Sequence, residues 1–314
     1  MFNILIVGCG NIGKRHLFST LKLKKKINIQ VLENNLKQIK ISKKINKNFD
    51  NYIKNFESIN KNTNLVLCAT KAFKRDKIIK KILNFCTPEY MIIEKFPFQN
   101  IIIYNKMIKF LKNKKIKVWV NFPFRYQDYY KYIVKNILKK NSILSCIISL
   151  SKTDDLFSSG IHFLDLLLHN HNYNLEHLDL RHIKKNNKYN WRYSGKVVFS
   201  TKDRTIAIIN TKSNFEQQIN IFSLSNHYKV KLFPSKINPW DNPKVKIFKN
   251  DKLIKVFDHY WQSSLTEKYL DDVILKKDTS LPTLFNTKYC TELVIDAVNK
   301  KLSLVSAKDL CPIT

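Results

Sequence analysis

The chain begins with the run Ile4-Leu5-Ile6-Val7 and then places glycines at positions 8, 10 and 13. Four consecutive apolar residues, mostly β-branched, are the pattern of a strand buried on both faces, as in a parallel sheet. Glycines at G-x-G-x-x-G spacing directly after such a strand make a dinucleotide-binding turn. In this reading Gly8 permits the tight turn, Gly10 the close approach of a pyrophosphate, and Gly13 the packing of the next helix on the strand. Asn11 and Ile12 then lie in the first turn of that helix, where N–H groups and the helix dipole favour negative charge.

A second apolar segment, Ile27-Asn28-Ile29-Gln30-Val31-Leu32, ends at Glu33, 20 residues beyond the last glycine. That is the spacing of a carboxylate that accepts from ribose hydroxyls. A carboxylate there repels a 2′-phosphate, so Glu33 favours NAD, whereas Asn34 and Lys37 nearby leave NADP open.

With 314 residues, the chain can build two cores, and 44% hydrophobic residues place it among globular proteins. Its 56 Lys and Arg against 24 Asp and Glu give a formal charge of +32. Such a charge ordinarily points to nucleic acid or an anionic surface. Here the lysines are interleaved with Asn and Ile along the whole chain, so the charge reads as a compositional bias, and nucleic-acid binding is not expected. The field still attracts anionic ligands such as nucleotides. The six cysteines (9, 68, 86, 146, 290 and 311) include no C-x-x-C pair and read as small buried apolar residues, not as zinc ligands or a disulfide scaffold. No apolar run reaches the roughly 18 residues of a membrane span, and the N-terminal apolar run breaks at once into glycines. A cytoplasmic protein is expected, with no metal and no membrane partner.

Further buried-strand patterns occur at Asn64 to Thr70, Tyr90 to Lys95 and Ile116 to Asn121, with helical spacing at Asp76 to Leu83 and Ile101 to Asn113. Strands alternating with helices predict an α/β fold, a doubly wound parallel Rossmann sheet over residues 1–120. Ligands in such sheets bind beyond the carboxyl ends of strands, so Gly8, Glu33, Ala69, Thr70, Glu94 and Lys95 fall at one edge. The second domain, 121–314, is expected to bind substrate and to mediate assembly. It carries a helix near Tyr129 to Lys140, a strand at Ile143 to Leu150, a helix at Gly160 to Leu168 and consecutive short strands from Lys196 to Phe257. Those strands predict a large open, mainly antiparallel sheet. Helices at Leu265 to Leu275 and at Leu284 to Val298, the latter capped by Thr283, close the chain.

Two stretches carry polar groups suited to chemistry: Glu94-Lys95-Phe96-Pro97 and Ser159-Gly160-Ile161-His162-Phe163-Leu164-Asp165. A lysine beside a nicotinamide can hydrogen-bond a reacting oxygen, and a histidine can exchange its proton. The plainer reading makes Lys95 one solvated lysine among many and lets His162 and Asp165, three apart, pair on one helix face. His169 and His171 read as helix-end residues; His177, His182, His227 and His259 read as surface groups.

The glycine turn with His16, the Ala69-Thr70 strand end, Glu94-Lys95, the stretch Gly160 to Asp165 and Leu281-Pro282-Thr283 together resemble the glucose-fructose oxidoreductase and inositol dehydrogenase family. The resemblance spans nearly the whole chain. It implies a Rossmann domain followed by an α/β domain on an open antiparallel sheet, and NAD(P)-dependent oxidation or reduction of sugars, cyclitols or nucleotide sugars. It maps the family's Glu-Lys-Pro lysine onto Lys95 and its substrate-side histidine onto His162, both catalytic, and it suggests that Asp165 orients substrate. Arg125, after Asn121-Phe122-Pro123-Phe124, is a second candidate substrate contact, because a guanidinium holds hydroxyl-rich or phosphorylated ligands.

The chain departs from the family pattern at several positions. Phe96 displaces the proline to 97, Lys71 stands where a proline follows the Ala-Thr strand end, and the nearby histidine is replaced around Arg75. Ser158 and Ser159 stand where relatives carry an aspartate four or three residues before the histidine. The expected activity is hydride transfer between nicotinamide and a hydroxyl or keto carbon of a small sugar-like substrate, by a homo-oligomer. The alternative raised by Ser158 is a catalytically silent dinucleotide-binding sensor or scaffold.

Overall fold

The computed structural model describes residues 1–151, 154–168, 177–179, 182–185, 193–202, 205–213, 217–233 and 243–301. In chain order, β1 (Phe2–Val7), α1 (Asn11–Thr20), β2 (Ile27–Leu32), α2 (Leu36–Ile45), β3 (Tyr52–Ile53), β4 (Leu65–Cys68), α3 (Arg75–Ile82), β5 (Tyr90–Ile93), α4 (Ile101–Asn113) and β6 (Lys117–Val120) alternate as expected. They are followed by α5 (Asp128–Tyr132), β7 (Ile143–Ser151), α6 (Leu156–Leu168), β8 (His177–Asp179), β9 (Ile183–Lys185), β10 (Tyr193–Ser200), β11 (Thr205–Ser213), β12 (Gln217–Ser223), β13 (His227–Phe233), β14 (Lys244–Lys249), β15 (Lys252–Asp258), α7 (Gln262–Lys276) and α8 (Lys288–Lys301).

The described residues divide into two compact units, one of 1–123 and 262–288, the other of those within 124–261 and 289–301. The segment 262–288, read from sequence as part of the second domain, therefore belongs to the first.

In the first unit six strands run parallel in the order β3-β2-β1-β4-β5-β6. Ile4 to Val7, Leu65 to Cys68 and Tyr90 to Ile93 are all buried, which is why these strands read as unbroken apolar runs. The strand order reverses between β1 and β4, so the crevice at their carboxyl ends is the place where open α/β sheets take ligands. Helix α7 packs on α1. The segment after it does not enter a helix at Leu284 as the sequence suggests. Thr283 instead forms an antiparallel bridge with Trp119, and Val120 N–H donates to Pro282 O at 2.9 Å. This stretch covers the edge of β6 that would otherwise be unpaired. Tyr104 anchors it from α4 by donating to Leu284 O at 2.8 Å. Helix α8 starts only at Lys288.

The second unit is built on a nine-stranded sheet in the order β15-β14-β13-β12-β7-β11-β10-β8, with β9 paired to β10. All its pairs are antiparallel except β7 with β11. Val197, Ile209, Ile148, Ile219, Val230 and Ile247 are neighbours across the register and are all buried. Their shared orientation follows from the two-residue period of strands. Helix α6 packs on β7, β10 and β11. Gly160 permits this close approach: a Cβ there would stand 3.3 Å from Ile209 Cγ2. The helix expected over Tyr129 to Lys140 begins as α5 and continues as a π-helical turn over Ile133–Leu138.

Candidate functional site

The glycine turn in the first unit is sterically specified at two of its three glycines. Gly8 has φ of +88°, which side chains rarely adopt. A Cβ on Gly13 would lie 2.0 Å from Gly8 O, so the helix can sit on the turn only without one. Gly10 is different. Its φ is an ordinary −66°, and a Cβ there would meet nothing within 4 Å. The protein itself does not require glycine at position 10, and the space a side chain would fill is left open above the N-terminus of α1. Gly10 is the N-cap of that helix and supplies no side-chain cap, and the first turn holds no acidic residue. The N–H groups of Asn11, Ile12 and Gly13 thus stand at an end that favours an anion.

Around this turn lies a cleft of about 630 Å³, lined among others by Gly8, Gly10, Glu33, Asn34, Asn35, Ala69, Thr70 and Lys71. Glu33 is fixed in place: one carboxylate oxygen accepts from Cys9 N–H at 2.7 Å and the other from Asn35 N–H at 2.9 Å. A carboxylate has about four acceptor positions, so two remain for ribose hydroxyls. Asn35 also caps α2 by accepting from Lys37 and Gln38 N–H. The sequence reading thus brings Gly8, Gly10, Glu33, Ala69 and Thr70 to one cleft, and it missed Lys54, Phe56 and Ile78 in the wall. The wall residues Lys54 and Phe56 follow the two-residue strand β3, which is too short to show a period.

Glu94, expected beside the cofactor, is buried and does not line the cleft. Its carboxylate meets His16 Nε2 at 2.8 Å and accepts from Asn121 Nδ2, while His16 Nδ1 lies 3.0 Å from Thr266 Oγ1 and 3.2 Å from the Tyr269 hydroxyl. Burial pushes the Glu94 carboxyl upward, but the His16 and Asn121 hydrogen bonds and the Lys95 charge outweigh it and hold the group below the usual carboxylate range. Lys95 follows, half-buried, and the peptide bond between Lys95 and Phe96 is cis. Arg75, near which the resemblance leads one to expect a histidine, is 1% exposed. Its guanidinium donates to Glu94 O at 2.6 Å, Pro97 O at 3.0 Å, Phe96 O, Thr70 O and, at 3.4 Å, Thr70 Oγ1. None of these partners is ionised, and burial lowers the Arg75 pKa from its ordinary value.

In the second unit His162 is buried on α6 and stacks on Phe124, with ring centroids 4.5 Å apart and planes 19° from parallel. Phe124 also meets His259 edge-on at 5.7 Å. His259 is not the surface group that its sequence context suggested. It is buried, lies against Tyr129 and Trp261, and its Nδ1 has no partner among the described residues. Burial pushes its pKa down to about 4. His169 and His171 lie outside the described residues.

Arg125 and Asp165, each expected to contact substrate, are held by one another. The guanidinium makes two parallel bonds of 2.9 and 2.7 Å to the Asp165 carboxylate, and the Tyr130 hydroxyl adds a third at 2.8 Å. Burial pulls the Arg125 pKa down, but the Asp165 hydrogen bonds and charge more than offset this and leave it raised. Ser158, at the position of the absent family aspartate, donates its N–H to Asp155. The Asp155 carboxylate also accepts from Phe157 and Tyr193 N–H and caps α6.

No family model and no curated protein matches the sequence. Solved structures do match it. An oxidoreductase from Agrobacterium radiobacter in complex with NAD+, L-tartaric acid and magnesium is 15% identical, with 96% of each chain covered and a TM-score of 0.71. UDP-N-acetylglucosamine 3-dehydrogenase from Acidithiobacillus ferrooxidans is 10% identical over 94% of this chain and 96% of the other, with a TM-score of 0.72. A super-repressor mutant of Gal80p from Saccharomyces cerevisiae is 12% identical over 97% of each chain, with a TM-score of 0.71. The chain has their fold. The two-part architecture implied by the family resemblance is thus observed over nearly its whole length. Among the described residues, no helix is long and apolar enough to cross a membrane.

Proposed function

We propose that this chain is a nicotinamide-dependent oxidoreductase of the glucose-fructose oxidoreductase and inositol dehydrogenase type, acting on a hydroxyl or keto carbon of a sugar, cyclitol or nucleotide sugar. The observation that carries the reading is the cradle at Gly10: a side chain would meet nothing of the protein there, yet the position is glycine, at a helix N-terminus beside a fixed carboxylate. Those residues fit a dinucleotide, with the pyrophosphate on the N–H groups of Asn11, Ile12 and Gly13 and a ribose on Glu33. Glu33 makes NAD the preferred cofactor and NADP the weaker one. Glu94 serves this site from behind, as the acceptor that holds His16 and Asn121.

When bound, the nicotinamide supplies or accepts the hydride. Lys95 then donates a hydrogen bond to the reacting oxygen and favours its anionic form. His162 takes or returns the hydroxyl proton, its ring oriented by Phe124. Arg125 and Asp165, locked to each other, shape the substrate side as a rigid pair and bind through whatever hydrogen-bonding capacity the pair leaves. The half-exposed outer side of the large sheet, with Ser149, Gln218 and Lys231, supports assembly as a homo-oligomer.

Titration with NAD and NADP, followed by a panel of sugars, cyclitols and nucleotide sugars read at the nicotinamide absorbance, tests the proposal. Expected are tighter binding of NAD, turnover with at least one class, and loss of turnover in Lys95→Ala with cofactor binding kept. The second reading, a silent dinucleotide-binding regulator, is favoured by Ser158 and by the shared fold of Gal80p, whose Kluyveromyces lactis form is described as a transcriptional regulator. Cofactor binding with no turnover across the panel would select it.

A further inference from the structure

Arg75 has five oxygen partners, as many as its guanidinium has N–H groups, and they fall into two groups. Thr70 O and Oγ1 belong to the turn after β4, which lines the dinucleotide cleft. Glu94 O, Phe96 O and Pro97 O belong to the turn after β5, which carries Lys95. Five acceptors from two turns converge on the planar guanidinium of a residue that is 1% exposed, so neither turn can shift relative to Arg75 without losing hydrogen bonds. The fixed fork of arginine suits this task, whereas a lysine ammonium has three donors and no plane.

We infer that Arg75 is a positioning residue that couples the cofactor-lining turn at Thr70 to the Lys95 turn, so that the two open and close as one body. The consequence for function rests on the oxidoreductase reading, since it makes the placement of Lys95 depend on the turn that meets the cofactor. The coupling itself is a property of the protein without cofactor.

The test compares wild type with Arg75→Lys, which keeps the buried charge and loses the fork, by acetylating both with acetic anhydride and reading each lysine by peptide mass spectrometry. Lys106, exposed on α4, is the internal control. Lys95 should react roughly fivefold faster in Arg75→Lys, the change in an opening equilibrium that one lost hydrogen bond gives, with Lys106 unchanged. A Lys95 rate that stays the same or falls overturns the inference.

If Arg75→Lys does not fold, native-state hydrogen exchange of wild type decides the question. The amides of Thr70 and Lys71 and those of Phe96 and Phe98 should open with one shared dependence on urea, and separate dependences overturn the coupling. Addition of NAD to wild type forms a separate arm. Failure to bind breaks the cofactor reading while the acetylation and exchange results still report the clamp; binding that slows exchange at Phe96 and Phe98 as well as at Thr70 supports both.

Discussion

In the first unit the buried guanidinium of Arg75 is held by the carbonyls of two turns, whereas in the second that of Arg125 is held by the carboxylate of Asp165. The buried histidines differ in how far they are partnered. His16 has partners on both ring nitrogens, and His259 lies among aromatic rings with Nδ1 unpartnered among the described residues. Arg75 fixes backbone at the carboxyl edge of the sheet. Arg125 fixes another side chain. Groups held by backbone cannot be compensated by changing one partner, and groups held by a side chain can.

The largest effect expected from this contrast is on stability. Arg75→Ala leaves carbonyls of Thr70, Glu94, Phe96 and Pro97 without this donor, and Arg125→Ala leaves the buried charge of Asp165 without its cation. Each should cost on the order of 3–5 kcal/mol in urea unfolding. The two part company on repair. Arg125→Met combined with Asp165→Asn should recover most of the loss, since Asn still accepts from Tyr130 and no charge remains buried. No single partner substitution should repair Arg75→Ala. A double variant as unstable as Arg125→Ala would break the comparison.

The next effect is on pH dependence. His259 has its pKa lowered from 6.5 to about 4 in the folded chain because burial disfavours the imidazolium. Its contribution to stability is therefore fully present above pH 6.5 and is lost as pH falls toward 4, where the unfolded chain gains a proton that the folded chain refuses. The loss amounts to about 3 kcal/mol at its limit. His259→Phe keeps the aromatic contacts and removes the titration, so the fall in urea midpoint between pH 7 and pH 4.5 should shrink relative to wild type. An undiminished fall would place the acid sensitivity elsewhere, Glu94 being the next group to test.

The same contrast explains what could be read from the sequence. Motifs that act through backbone have local signatures: the glycines at 8, 10 and 13, the apolar run before them and the spacing to Glu33 all lie within 33 residues, and the structure brings Val7, Gly8, Gly10 and Glu33 to one cleft. The α/β architecture was legible for a similar reason, since parallel strands buried on both faces show as unbroken apolar runs. The side-chain network was not. His16, Glu94, Asn121, Thr266 and Tyr269 span 253 residues, and no periodicity links them. Arg75 was visible only as a missing histidine, because its partners are carbonyls that every residue carries. His259 follows an edge strand, and its burial comes from the rings of Phe124 and Tyr129, more than 100 residues away in the sequence. The bridge of Thr283 to Trp119 likewise has no local signal, so a helix was expected where the chain covers a sheet edge.

The smallest effect on stability falls at the most informative position. Gly13→Ala drives a Cβ to within 2.0 Å of Gly8 O and must shift the helix, so loss of cofactor binding in that variant would say little about the cleft. Gly10→Ala is a cleaner probe. Its φ suits alanine and the new methyl group touches no protein atom within 4 Å, so the unfolding free energy should stay within about 0.5 kcal/mol of wild type. If the open space above α1 is where a pyrophosphate approaches the backbone, that methyl group stands in its way, and NAD affinity should fall by roughly tenfold or more, as a misfit of about 1.4 kcal/mol requires. Isothermal titration of the variant beside wild type, with matched urea curves, separates the outcomes. Unchanged stability with weakened binding assigns the glycine to a ligand and not to the fold, whereas unchanged binding would remove the observation on which the cofactor assignment stands.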